Sequence, residues 1–296
     1  MRAKSLLAAS LGLALGLAAT QAGAFSMKAF NGPVIFKLGG YTTENDTQVG
    51  TDETTWGAGN VTQILNALNQ TEVLWQQKDA AFGNETIGYM LYGIADANIT
   101  TGGFPNPFNI FNVGCTGAPC DSNIHIDLYL NPTGFNFGSM PTSTRSGFNT
   151  LPGITDGTLL MQWKMIPGMV ASDIPGGSNP MFDERNTTLY QNVTDANLSP
   201  SINGLGSFYA KCVGGDACGG FATDVFTTGL GTKADLRGSF RGSFSLVPAS
   251  GTASGWEGDV SDPVRARAIS EPASLALLGA GLLGLITWRR RGHSVA

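Results

Sequence analysis

Histidine is nearly absent from this sequence, with two among 296 residues, His125 and His293. Sites that bind zinc or iron through several imidazoles are thereby excluded, and the body keeps one candidate base for a serine or cysteine nucleophile. The G-x-S-x-G elbow, H-E-x-x-H and the Walker loop are also missing, which removes the usual signatures of serine hydrolases, zinc proteases and nucleotide-binding enzymes. Charged side chains make up 13% of the chain against about 25% in an average domain. Lysine and glutamate are sparse, which argues against long helices. Cysteine is limited to four residues, and long uncharged apolar runs occur only at the two ends.

Those ends carry the clearest signals. Residues 1–24 have the three parts of a secretory signal peptide: Arg2 and Lys4, an apolar centre from Leu6 to Ala19, and an A-x-A site, Ala22-Gly23-Ala24, before Phe25. At the other end, Glu271-Pro272-Ala273-Ser274 leads into an uncharged run that ends at Trp288, followed by Arg289, Arg290 and Arg291. As a helix, Ala273–Trp288 would cover about 24 Å, slightly less than a hydrocarbon core of about 30 Å. The arginines would hold its far end cytoplasmic. This tripartite tail resembles the PEP-CTERM sorting signal of exported Gram-negative proteins, with Ser270 where the first proline of that motif is expected. The resemblance covers about residues 270–291. It implies recognition and removal of the tail by an exosortase, alongside signal peptidase at the other end, often in the setting of exopolysaccharide production.

Residues 1–24 and 272–296 hold five of the 17 basic residues and no acidic one, which leaves residues 25–271 with 12 against 22. An acidic body disfavours nucleic acid and anionic membranes as partners and favours solubility. Membrane contact is expected only through the precursor tail. Abundant glycine with threonine, asparagine, serine and phenylalanine suits many strands joined by tight turns. Alternation predicts strands at Asn123–Leu130 and Ser239–Leu246, with further candidates at Val34–Leu38, Thr86–Ile94, Leu159–Ile166, Ser207–Cys212 and Phe221–Thr227. Val61–Gln77 reads as a hairpin rather than a helix, because asparagine and glutamine interrupt its apolar stripe. The small, polar stretch from Pro248 to Gly255 reads as the start of a spacer.

The expected architecture is all-β: one antiparallel, β-sandwich-like domain at 25–248, a linker at 249–269, the sorting signal with a transmembrane helix at 270–291, and a cytoplasmic end at 292–296. Export and an even count favour disulfides, and sequence proximity favours Cys115–Cys120 and Cys212–Cys218. His125, Asp127 and Tyr129 share one strand face, either as a proton-transfer or metal-binding set or as the solvent side of an amphipathic strand. Trp56 and Trp256, in polar surroundings, read as residues of surface segments, either exposed and able to stack on sugars or anchors partly covered by a loop. The acid pairs Asp52-Glu53 and Asp183-Glu184 are the candidates for carboxylate-based glycoside hydrolysis. No cofactor is expected. Asn45-Asp46-Thr47, Asp96-Ala97-Asn98 and Thr194–Asn197 offer oxygen ligands for a structural calcium, and Asx turns account for them equally. The leading functional expectation is a non-catalytic cell-surface or extracellular-matrix protein of exopolysaccharide or biofilm. A carbohydrate-binding module working through Trp56 or Trp256 stands second, and a secreted glycoside hydrolase third.

Overall fold

The computed structural model describes residues 26–44, 51–101, 108–114, 124–131, 140–169, 188–193, 202–244 and 255–269. These hold thirteen strands: β1 (Gly32–Thr43), β2 (Thr55–Asn66), β3 (Val73–Gln76), β4 (Thr86–Thr101), β5 (Phe108–Gly114), β6 (His125–Asn131), β7 (Thr158–Ile166), β8 (Leu189–Val193), β9 (Ile202–Gly214), β10 (Phe226–Thr227), β11 (Lys233–Ala234), β12 (Leu236–Phe244) and β13 (Gly258–Ala268). Apart from the small β10–β11 ladder they form one antiparallel sheet in the order β3-β2-β1-β13-β12-β9-β7-β6-β4-β5-β8. An added pairing of β2 with β4 closes eight of them into a barrel. The expected sandwich is thus corrected to a closed barrel: two packed sheets would leave free edges, whereas here the first and last of the eight strands hydrogen-bond each other.

The wall forks. β4 and β9 are long, and each changes partner along its length: the first half of β4 pairs with β6 and its second half with β5, while β9 pairs first with β8 and then with β7. β5 and β8 also pair with each other, so the wall between β4 and β9 is β6–β7 at one end of the barrel and β5–β8 at the other. The fork on β4 is a bulge at Gly93. Its φ of 82° is open to glycine at no steric cost, and the register of β2 on β4 shifts beside it. Tyr92 and Ala95 therefore lie in the cluster outside the wall, while Ile94 belongs to the main core.

Alternation fills the interior. Val34, Phe36 and Leu38 of β1 meet Ile126 and Leu128 of β6, Trp163 of β7 and Val264 and Ala266 of β13 in one core, with Phe36 edge-on to Trp163 at 5.2 Å. Each large apolar side chain withdrawn from water here contributes about 1.5–3 kcal/mol. Between β9 and β12 the filling is reciprocal. Phe208 lies opposite Gly238 and Phe240 opposite Gly206, and each phenyl occupies the space a Cβ on the facing glycine would need. Aromatic cover of a facing glycine restores packing where the glycine itself offers none.

Most predicted strands appear, often longer than expected, and β2 with β3 forms the expected hairpin. Two readings are corrected. Phe221–Thr227 contributes only the two residues of β10, after a 3-10 turn at Cys218–Gly220. The supposed linker contains β13, which sits inside the barrel wall between β1 and β12 along eleven residues. Its inward positions Val264, Ala266 and Ala268 are fully or almost fully buried. Small residues read as a spacer because they carry little hydrophobic signal, yet a crowded barrel interior requires them. Among the described residues no helix is long and apolar enough to cross a membrane; the predicted tail helix and the signal peptide lie outside the described residues.

Candidate functional site

Much of the outer face of β2, β4 and β6 does not meet solvent. A strap of residues 140–157 lies over it, inserting Phe148, Leu151 and Ile154 against Trp56, Ala58, Met90, Tyr92 and Tyr129 in a second core. Trp256, just before β13, joins from the side, with its ring 5.1 Å from Trp56 and its indole N–H donated to the Met140 carbonyl at 2.8 Å. The polar residues of this face are sealed beneath the strap.

Arg145 is the strap's clasp. Its Nη1 lies 2.8 Å from Glu53 Oε2, with both side chains wholly removed from solvent. Other guanidinium nitrogens donate to the Gly147 and Phe148 carbonyls, and the group stacks 4.7 Å from the Trp56 ring. The other oxygen of Glu53 accepts the N–H of Gly93 at 2.7 Å. One carboxylate thus caps the β4 bulge and anchors the strap, which explains why a buried charge is tolerated: it is paired and hydrogen-bonded on both oxygens.

Next to this clasp is a second polar group. Asp127 of β6, 1% exposed, accepts hydrogen bonds on Oδ2 from the Tyr92 hydroxyl at 2.9 Å and the Gln162 amide at 3.2 Å, with the Tyr129 hydroxyl at 3.5 Å. Its Oδ1 has no hydrogen-bond partner among the described residues. Burial pushes the carboxyl above its ordinary value, against the opposing pull of Tyr92, His125, Gln162 and Tyr129. Burial and the neighbouring Asp127 charge also raise both tyrosines. His125 stacks flat on Tyr92, ring centroids 5.3 Å apart at 6°. The arrangement gathers three hydrogen-bond donors on one buried carboxyl oxygen; its members face the packed underside of a strap, not a groove.

The predicted residues are therefore redistributed. His125, Asp127 and Tyr129 do come together on one face, but the solvent-facing version of that reading is corrected: all three are buried, at 4%, 1% and 8% exposure. The exposed-tryptophan reading is corrected as well, because Trp56 and Trp256 are 0% and 2% exposed and pack on each other. Asp52-Glu53 is not a solvated acid pair, since Glu53 is committed to Arg145. Cys212 and Cys218 form the expected disulfide, with Cα atoms 5.6 Å apart. Among the described residues no group of three histidine, cysteine or acidic side chains is placed to hold a metal.

Several expectations fall outside the described residues: Cys115–Cys120, Asp183-Glu184, Asn45–Thr47, Thr194–Asn197, the cleavage site at Ala22, Ala24 and Phe25, and the sorting residues Glu271 to Ser274 and Arg289 to Arg291. Asp96-Ala97-Asn98 falls within β4 rather than in a turn. Tyr92, Gln162 and Arg145 were missed from sequence. The available signal was Gly93 inside an otherwise regular strand pattern, which marks a bulge and hence an N–H in need of an acceptor.

No curated protein and no solved structure matches this chain. One family model does, that of the PEP-CTERM protein-sorting motif, over residues 268–291. The match begins at Ala268, the last residue of β13, so the sorting signal follows the barrel wall without an intervening spacer. The chain is an eight-stranded antiparallel barrel joined directly to a PEP-CTERM sorting tail, the mark of a protein exported and handed to an exosortase.

Proposed function

We propose that this protein is a non-catalytic component of the cell surface or extracellular matrix, released from its precursor by an exosortase and retained among exopolysaccharide. The observation that carries the reading is the join between tail and barrel: a sorting signal is attached to a wall strand of a domain whose described interior is filled by Phe36, Trp163, Phe208 and their neighbours. Such a barrel offers its wall and its loops, not its interior, to a partner. The residues richest in chemical potential support the same reading, since Asp127, His125 and Glu53 are engaged with one another's neighbours beneath the strap.

The test is removal of residues 270–296 in the producing cell, followed by fractionation of cells, matrix and medium and by an adhesion assay. Loss of the protein from the matrix fraction together with weakened cell-to-cell adhesion is the expected result. Unchanged matrix retention and adhesion would refute the reading.

A further inference from the structure

The body is acidic, yet one run of its wall carries basic residues with few acids among them. The five adjacent strands β7, β9, β12, β13 and β1 carry seven of the body's twelve basic residues, Lys164, Lys211, Arg237, Arg241, Arg265, Arg267 and Lys37, with Asp259 and Asp262 as their only acids. Inward positions on these strands belong to the core, so alternation turns the basic residues outward. Arg237, Arg241, Arg265 and Arg267 are exposed.

Their register is unusual. Arg237 lies directly opposite Arg265, and Lys164 directly opposite Lys211. Like charges facing each other across a ladder are destabilising, and an acidic chain could have placed a carboxylate at either position. Lys211 has an exposed partner in Asp224 at 3.3 Å, and Arg237 lies over the Tyr209 ring at 5.6 Å. None of the four arginines makes an ion pair with a described residue. A guanidinium presents a planar fork of donors that matches a carboxylate, so arginine is the residue for recognising planar oxyanions.

We infer that the outer wall of β12 and β13, centred on Arg237, Arg241, Arg265 and Arg267, binds a carboxylate-bearing polysaccharide. The inference deepens the matrix reading and rests on it for the setting in which such a polymer is met. A linear polyanion fits better than an anionic membrane, because the cations run along the wall of the barrel. The end that leads to the tail, where a membrane would be met, sets Glu72, Asp79 and Glu85 against Lys28 and Lys78, so that apart from Arg267 it carries no excess of positive charge.

The experiment measures binding of the full-length chain, in an uncharged detergent, to polygalacturonate, to neutral dextran and to vesicles containing phosphatidylglycerol. The parent is compared with an Arg237→Gln, Arg241→Gln, Arg265→Gln variant. Expected is polygalacturonate binding at about 50 mM salt that is lost by about 500 mM, as screening and counterion competition require, with no binding to dextran. The variant should bind at least about tenfold more weakly while melting at the same or a higher temperature, since it relieves the Arg237–Arg265 opposition. Equal binding by parent and variant, equal binding to dextran, or binding to vesicles without polygalacturonate would each overturn the inference. Matrix fractionation tests the underlying reading separately, so the two failures are told apart.

Discussion

Arg145→Ala is the sharpest probe of the strap. The substitution removes an ion pair at 2.8 Å, the donations to Gly147 and Phe148, and the stacking on Trp56. It leaves the Glu53 carboxylate buried with the Gly93 N–H. Breaking a buried pair from one side costs about 3–5 kcal/mol, a large share of the roughly 5–15 kcal/mol that holds a typical domain together. The double variant Glu53→Gln, Arg145→Met keeps an acceptor for Gly93 and an apolar stem over Trp56 while removing both charges. It is expected to lose less than about 2 kcal/mol, because neutral replacement of a buried pair is often nearly neutral in energy. Urea unfolding followed by tryptophan fluorescence and far-ultraviolet circular dichroism measures both. A single variant within about 1 kcal/mol of the parent, or a double variant as unstable as the sum of the two single ones, would refute the reasoning.

Three further outcomes are expected. Burial raises the Asp127 carboxyl above its unfolded value of about 3.9, so between the unfolded and folded values the native state binds the extra proton and stability falls as pH rises. Asp127→Asn should abolish that fall and be at least as stable as the parent at pH 7, as read from urea midpoints between about pH 3 and pH 8. Gly206→Ala places a Cβ 1.9 Å from the Phe240 ring and should destabilise the β9–β12 seam by about 1–3 kcal/mol, measured by the same unfolding assay. Ile126→Asp puts a charge into the main core and should prevent folding, seen as loss of the strand signal in circular dichroism, because the penalty of several kcal/mol approaches the whole stability.

Local pattern was legible where one strand face packs and the other does not match it. Ile124, Ile126, Leu128 and Leu130 announce β6, and the asparagines after Leu65 announce the turn of the β2–β3 hairpin. What alternation could not convey is which strand meets which. Closure depends on β2 finding β4 and on β1 finding β13 across more than two hundred residues, and no local signal distinguishes such a ring from two packed sheets. The candidate site failed for the same reason. Trp56 and Trp256 sit among polar neighbours in sequence, Asp127 alternates with the core residues Ile126 and Leu128 like any residue on a solvated strand face, and what covers them is a strap brought from elsewhere in the chain. Polar flanks predict exposure only when no distant segment competes for the face.

The place of β13 bears on timing. Export delivers a chain from its N-terminus, so β1 crosses well before the strand that must lie beside it. Until residue 268 has followed, β1 and β12 each present a row of unpaired backbone groups, and no N-terminal portion of the body can complete its own ring. The last residue of that final strand is also the first of the sorting motif. Completion of the fold and arrival of the address are consecutive events at one point of the polypeptide. A product truncated upstream of that point forfeits its sorting signal and its closed wall together, and its open edges expose it to aggregation and proteolysis.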